Sequence, residues 1–193
     1  MLYFMYHCTD NDFSLKQILF ENRKVGDVGA DCLLSVDGTD FRTRWINVNF
    51  WSYKFKKCGF RYEVALCIKT GWICWLNGPY APGIWNDQMI FGDALAYELE
   101  EGERVEADDG YEPHAPQYVK CPKCIANDPE RESMQQKVRS RHETVNKRFK
   151  QWKILREEYR HNIEDHGSVF RAVAVLTQLA IEKGEPLYEV DYE

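Results

Sequence analysis

Three acidic residues stand in settings from which a fold could bring their side chains together. Asp37 follows the apolar run at residues 32–36, Asp108 ends a second strand-like run, and Glu143 lies in a long, basic helical pattern. Carboxylates of this kind suit Mg²⁺, which prefers hard oxygen ligands and keeps several waters and substrate oxygens in its shell. Two such ions about 3.5–4 Å apart stabilise the attacking and the leaving oxygen of a phosphodiester. The three acids therefore predict a DNA-cutting domain that uses Mg²⁺ or Mn²⁺, with two ions in the site.

Each of these acids also has a purely structural explanation. Asp37 precedes Gly38 and can begin a turn, as Asp does in many loops. Asp108 can belong to a solvated turn, and Glu143 can form a surface ion pair with a lysine four residues away, worth a few tenths of a kcal/mol. Asp87 is a fourth candidate acid, although a position in the first turn of a helix is well explained by the helix dipole. The residues alone leave these alternatives open.

Basic side chains share the helix face of Glu143. Arg139, Lys147 and Lys150 stand four, four and seven residues away from it. This face lies roughly opposite an apolar stripe at helical spacing, which we expect to face the core. The stripe consists of Met134, Val138, Val145, Phe149, Trp152 and Leu155. We therefore expect the three basic residues to contact DNA phosphates.

A small set of helices and strands must position these residues. The sequence predicts a strand at 32–36, a hairpin that turns at 69–71 and a strand at about 103–108. It predicts helices at about 13–22, 87–100, 130–161 and 169–183, the second of them with Asn86 as its N-cap. Little regular structure is expected between Asp109 and Pro129, which hold four of the seven prolines. This order predicts an α/β fold in which helices pack against a mixed sheet.

Composition points to a single folded domain inside the cell. The chain has 193 residues, 44% of them hydrophobic, and a net charge of −6, which does not suggest a dedicated nucleic-acid binder. Seven cysteines, an odd number, favour a reducing compartment. No run of the sequence reaches the ~18 apolar residues of a membrane span. We expect a soluble intracellular protein with no membrane partner.

Cysteine and tryptophan residues carry weaker signals. Cys121 and Cys124 have CxxC spacing, but no second CxxC or HxxxH accompanies them, so a zinc site is not favoured. Five tryptophans are expected to fill the core or its rim rather than to stack on bases. They are Trp45, Trp51, Trp72, Trp75 and Trp85.

Four segments together resemble one known family. These are VDGT at Asp37, GPYAPGIWND ending at Asp87, EADDGY at Asp108 and RHETVNKRFK at Glu143. In this order they resemble the DDE superfamily endonuclease domain of PIF/Harbinger-type DNA transposases. The 34 residues between Asp108 and Glu143 are typical of such triads, and Arg139, Glu143 and Lys150 stand as R-x₃-E-x₆-K. The tyrosine that opens this signature in related transposases is replaced by Gln136.

The resemblance implies an RNase H-like fold and a reaction. Asp37, Asp108 and Glu143 would be the catalytic metal ligands, with Asp87 as the alternative to Asp108, for cutting and joining DNA by phosphoryl transfer. Residues 31–193 would form the endonuclease domain, and residues 1–30 a leader without a complete DNA-binding domain. The implied partners are DNA, a separate DNA-binding domain or protein, and further copies of the chain, and the implied location is the nucleus.

Two other interpretations remain at this stage. The chain can be a truncated or domesticated transposase copy that acts as a binding or regulatory module without catalysis. It can also be an α/β protein whose acids are structural. Long distances between the acid side chains would favour an α/β protein with structural acids, because the ligands of a close metal pair must converge.

Overall fold

A six-stranded mixed sheet forms the centre of the fold in this computed structural model, which describes residues 18–25, 32–125 and 128–192. The strands are β1 (Cys32–Arg42), β2 (Trp51–Ser52), β3 (Lys57–Cys67), β4 (Ile73–Tyr80), β5 (Arg104–Glu106) and β6 (Val119–Lys120). β3 pairs antiparallel with β1 on one side and with β2 and β4 on the other. β5 runs parallel to β1 on its other side, and β6 runs parallel to β5. The mixed α/β fold predicted from the sequence is confirmed.

Helices cover both faces of the sheet. They are α1 (Asp87–Asp93), α2 (Leu95–Glu98), α3 (Pro129–Phe149), α4 (Lys153–Arg156) and α5 (His166–Lys183). α3 and α5 contribute Val145, Phe149 and Phe170 to an apolar cluster on one face. α1 and α2 contribute Phe91 and Leu95 to a second cluster on the opposite face. Alternation along β1 accounts for this division, because successive side chains of a strand point to opposite faces.

Local sequence signals set several of the observed boundaries. The Asn86 side chain accepts a hydrogen bond from the Met89 amide over 2.9 Å and begins α1. Gly71, with φ 74°, lies in the turn between β3 and β4, where a positive φ favours glycine. α5 ends at Lys183, followed by Gly184. The predicted hairpin and N-cap are confirmed.

Other predicted boundaries are wrong. β1 continues to Arg42, so Asp37 lies within the strand instead of at its end. The helix expected over 130–161 ends at Phe149, because the chain then crosses to pair Tyr159 with Thr43 beside β1. The helix expected over 87–100 is interrupted at Ala94, whose backbone is not helical. Tertiary pairing overrides helix propensity at these points.

The remaining differences concern short segments. The stretch after Asp109 contains a 3₁₀ helix (Asp109–His114) and strand β6. A 3₁₀ helix also spans Phe20–Lys24, whereas the greater part of the helix expected at 13–22 lies outside the described residues. Trp72 and Trp75 pack against the apolar clusters as predicted, but Trp45 and Trp51 are exposed. None of the helices in the described ranges is both long and apolar enough to cross a lipid bilayer.

Candidate functional site

Asp37 lies within β1, whereas Asp108 lies two residues beyond the end of β5, so the prediction that Asp108 ends the strand is wrong. Ser35 of β1 is paired with Glu106 of β5, which brings the two segments side by side. Because residues two apart on a strand point to the same face and Ser35 contacts α3, Asp37 is directed to the α3 side of the sheet. The exposed Asp108 side chain caps the 3₁₀ helix at Asp109–His114, where Oδ1 accepts from the Gly110 amide over 2.8 Å.

α3 runs along β1 in the same direction and contacts it at matched intervals. The His142 ring lies 2.8 Å from the Ser35 hydroxyl, and the Asn146 amide donates to Oδ2 of Asp37 over 3.2 Å. Four helical residues advance about 6 Å and two strand residues about 6.6 Å, so both contacts form together. Asp37 also accepts a hydrogen bond at Oδ1 from the Gly38 amide over 2.8 Å.

Charge around Asp37 is balanced between neighbouring acids and cations. Burial raises the pKa of Asp37 and the charge of Asp108 adds to this, whereas Lys54, the Gly38 amide and Asn146 act in the opposite direction. Burial, together with the charge of Lys54, lowers the pKa of Lys150, and the charges of Asp40 and Asp37 oppose that decrease. Lys54 and Lys150 are therefore within electrostatic range of Asp37, where they could attract an anionic substrate.

Asp87 lies behind β1, on the side of α1. A Cβ added to Gly38 would come 2.9 Å from Cγ of Asp87, so the carboxylate packs directly against the Gly38 backbone. Its Oδ1 is buried, lies 3.5 Å from Arg61, and has no hydrogen-bond partner among the described residues. Burial raises the pKa of Asp87, with Arg61 opposing and Asp37 adding to the rise. Asp87 therefore approaches β1 from the face opposite to that of the Asp37 side chain.

An ionic network fixes the backbone behind the acids. The guanidinium of Arg61 binds both oxygens of Asp40 over 2.7 and 3.0 Å, and Asp40 also accepts from the Ser52 hydroxyl over 2.6 Å. Because Arg61 also reaches Asp87, one side chain connects β1, β3 and α1. Bidentate pairs of this kind are among the stronger polar interactions in proteins.

The Glu63 side chain is buried beside the network of Arg61, Asp40 and Asp87. Its side chain is 1% exposed, and Oε1 accepts from the Trp75 indole over 3.0 Å. Burial raises the pKa of Glu63 to about 8, while the Trp75 hydrogen bond opposes the rise and the charge of Asp87 adds to it. Oε2 of Glu63 and the hydroxyl of Tyr111 are both buried without a hydrogen-bond partner in the described part of the chain. Glu63 therefore carries a proton at neutral pH.

Glu143 makes no described contact with Asp37. Its side chain is exposed on α3, one turn before Asn146. Lys147 is exposed as well, and Nε of Arg139 is buried with no hydrogen-bond partner within residues 18–25, 32–125 and 128–192. Of the basic residues predicted to contact phosphate, Lys150 is the one beside the acids.

No three or more His, Cys, Asp or Glu side chains of the described residues form a group that could hold a metal ion. Mg²⁺ is often bound by only one or two carboxylates together with substrate phosphates. Asp37 and Asp108 could supply two carboxylates of this kind, and a cation would relieve the repulsion through which Asp108 raises the pKa of Asp37.

Cys121 and Cys124 form a thiol pair away from the acids. Their sulfur atoms are 3.1 Å apart, with Cys121 buried and Cys124 exposed. Burial and the neighbouring thiol raise the pKa of Cys121 to about 12. The Cys121 thiol is therefore protonated at neutral pH.

Comparisons with models of known families, with curated proteins and with solved structures found no match to this chain. The chemistry of the site is therefore argued from its own residues.

Sequence reasoning missed several residues that surround the acids. Asn146 carries no charge and lies three residues after Glu143, the residue that the motif singled out as the helix acid. Its spacing of four from His142 was the available signal, since both residues share one helix face. Arg61 and Glu63 alternate with Tyr62 and Val64 on β3, and this polar and apolar alternation marks them as facing the other side of the sheet from the main apolar cluster.

Proposed function

We propose that this chain is a metal-dependent DNA endonuclease domain of the DDE type, similar to those of PIF/Harbinger transposases. The observation that carries the proposal is the approach of Asp37 in β1 and Asp108 just after β5, two segments that the pairing of Ser35 with Glu106 brings side by side. Two basic side chains, Lys54 and Lys150, lie within electrostatic range of Asp37. An acidic centre with a basic margin suits a phosphodiester substrate bound through a cation.

The strand order supports the finer assignment to an RNase H-like fold. In such a fold, three antiparallel strands are continued on the other side of the first strand by parallel ones. β4, β3 and β1 supply the antiparallel part, and β5 and β6 supply the parallel part. α3 then covers the face to which Asp37 points.

In this proposal each residue has a defined task. Asp37 and Asp108 hold Mg²⁺ or Mn²⁺, and Asn146 orients the Asp37 carboxylate through its hydrogen bond. Bound metal would activate water or a DNA 3′-hydroxyl for in-line attack on a phosphodiester. Lys150 and Lys54 contact the phosphates, with Arg139 and Lys147 as further contacts along α3. Glu143, which is exposed on α3 and does not contact Asp37 in the described residues, would have to turn toward a bound cation to act as the third acid, and Asp87 supports β1 from behind.

The partners and the location follow from the substrate. We propose DNA as the main partner, with affinity supplied by a separate DNA-binding domain or protein, because the chain itself has a net charge of −6. Assembly with further copies of the chain and residence in the nucleus belong to the same proposal.

A plasmid-nicking assay tests the proposal. The purified chain is incubated with supercoiled plasmid in Mg²⁺ or Mn²⁺, and we expect nicked circles that chelation prevents. Asp37→Ala should abolish nicking, whereas Asp93→Ala, which removes an exposed acid at the end of α1, should not. Circular dichroism verifies that both variants are folded. Failure of the wild-type chain to nick in either metal, or full activity of Asp37→Ala, would contradict the proposal.

One observation favours a second candidate, a catalytically silent transposase copy that acts as a binding or regulatory module. Glu143 is exposed, and the residue that contacts Asp37 from α3 is the amide Asn146. An amide cannot replace an anionic metal ligand in charge. Calorimetric titration with Mn²⁺ separates the candidates, because a silent copy would bind no Mn²⁺ at Asp37, so that Asp37→Ala leaves the titration unchanged.

A further inference from the structure

The segment that joins β1 to β3 differs sharply in charge from the rest of the chain. Between Arg42 and Lys57 there are five basic residues and no acidic one, in a protein with a net charge of −6. Lys57 forms an ion pair with Glu158, with 2.6 Å between Nζ and Oε1. Arg44, Lys54 and Lys56 are exposed, and none of them forms an ion pair with another described residue. We call residues 43–56 the Trp45 loop.

Large aromatic side chains of the Trp45 loop lie at the surface. Tyr53 is 81% exposed, Trp45 45% and Trp51 39%. Two exposed aliphatic residues, Ile46 and Val48, lie between them. The amide of Gly83 donates to the carbonyl of Asn49 over 2.9 Å, so the Trp45 loop rests on the loop after β4. Aromatic surface of this extent, surrounded by polar residues, usually marks an interaction site.

Packing beneath the loop holds the Trp45 ring in place. Trp45 contacts Phe50 edge to face, with ring centroids 4.8 Å apart. Phe50 in turn contacts Phe60 of β3 at 5.5 Å. At the start of the loop the Thr43 backbone bridges to Tyr159. A ring that is fixed before binding loses less conformational entropy when a partner stacks on it.

The loop is also anchored to the strand that carries Asp37. The Ser52 hydroxyl donates to Asp40 over 2.6 Å on the α1 side of β1, and Asp40 lies three residues after Asp37. Lys54 of the loop lies within electrostatic range of Asp37 and of Lys150. A polyanion bound along the basic residues of the loop would therefore lie beside this strand.

We propose that the Trp45 loop binds unpaired DNA bases beside the acid site, with Tyr53 and Trp45 stacking on bases and with Arg44, Lys54 and Lys56 contacting phosphates. Exposed aromatic rings interleaved with basic side chains are the recurring means by which proteins bind single strands. This inference rests on the proposed function and specifies its substrate as DNA with a single-stranded segment at the cut.

Charge argues against a second copy of the chain as the occupant. In a symmetric dimer that used this surface, the loop would meet itself, and two sets of unpaired basic residues would be brought together. Like charges in such a position destabilise an interface. An anionic lipid surface shares the required charge, and it is therefore an arm of the test.

Fluorescence anisotropy with a labelled oligothymidine and with a duplex of equal length tests the inference. We expect the wild-type chain to bind the single strand more tightly than the duplex. Tyr53→Ala should weaken single-strand binding by between about 5-fold and 150-fold, the range for loss of one stacked base. Tyr53→Phe should bind as the wild type does, because the ring is kept. Tyr97→Ala is the matched control, since Tyr97 is also 81% exposed but lies on α2.

The outcomes separate this inference from the proposed function. Asp37→Asn should lose nicking and keep single-strand binding, whereas Tyr53→Ala should weaken binding in the presence of an intact Asp37. Nicking by the wild type with equal binding by Tyr53→Ala would overturn the inference alone. Absence of nicking, with binding that depends on Tyr53, would overturn the proposed function alone. Binding to phosphatidylserine vesicles without binding to the oligothymidine, or dimerisation that Tyr53→Ala abolishes without any effect on DNA binding, would also overturn the inference.

Discussion

The side-chain amide of Asn146 donates a hydrogen bond to Oδ2 of Asp37 over 3.2 Å and so connects α3 with the middle of β1. The bond favours the ionised form of Asp37 and opposes the effect of burial on its pKa.

Removing this amide should raise the pKa of Asp37. In Asn146→Ala the carboxylate loses a donor that stabilises its charge, so we expect its titration to move to higher pH. Carbon-detected NMR of the aspartate carboxyl groups measures the change. If metal binds as proposed, its affinity should fall by about 10- to 100-fold, the range for loss of such a supporting partner. Thr144→Ala serves as the control, and an unchanged titration of Asp37 would refute the role of Asn146.

Glu143→Gln tests whether the exposed helix acid belongs to the site. We expect nicking to be lost with no change in thermal stability, because the side chain is exposed and makes no described contact with the core. Glu132→Gln, an exposed acid at the start of the same helix, should keep activity. Retained nicking in Glu143→Gln would mean that the third acid lies elsewhere, and Asp87→Asn would then be the next variant to assay.

Gly38→Ala should disturb the packing between β1 and α1. The added methyl group would meet the Asp87 carboxylate, which is held there by Arg61. We expect the free energy of unfolding to fall by about 1–3 kcal/mol, as measured by urea denaturation. Gly184→Ala is the matched control, because no heavy atom lies within 4 Å of its added Cβ. Equal stability of Gly38→Ala and the wild type would disprove the position of Asp87.

Glu63 should make the protein less stable as pH rises from about 6.5 to about 8. Its pKa is raised to about 8 in the folded chain, so in this window the unfolded chain has released the proton that the folded chain still binds. The free energy of unfolding should then fall by up to about 1.4 kcal/mol per pH unit and level off above pH 8. Urea denaturation across the window measures the slope, which Glu63→Gln should remove.

Two groups of opposite sign also act in the lower part of this window. Burial lowers the pKa of both His142 and His166 to about 4. These rings reduce stability as pH falls through about 6.5, where the unfolded chain gains protons that the folded chain excludes, so the contribution of Glu63 is the difference in slope between the wild type and Glu63→Gln. A wild-type slope equal to that of Glu63→Gln would show that Glu63 is ionised in the folded state.

Local chemistry made part of the fold predictable from the sequence. Asn86 begins α1 because its side chain replaces a missing helix acceptor, and Gly71 turns the hairpin because it adopts a positive φ. The prediction of a mixed sheet with helices followed from the same local patterns. These features depend on residues close together in the chain.

Long-range contacts made the rest unpredictable. The helix expected to reach 161 ends at Phe149 because Tyr159 pairs with Thr43, more than a hundred positions earlier. The position of Asp87 behind Gly38 and the contact of Asn146 with Asp37 have the same origin. The sequence pattern indicated which acids could form a site. The residues that set the pKa and the orientation of each acid, however, lie in remote segments of the chain.

The matched advance of α3 along β1 limits where the chain can change length. One residue inserted between His142 and Asn146 would rotate the remainder of α3 by about 100° and carry the amide away from Asp37. The same insertion in the turn at 150–152 leaves both contacts intact. Insertions and deletions should therefore be tolerated in the connections between elements and rejected within β1 and the second half of α3.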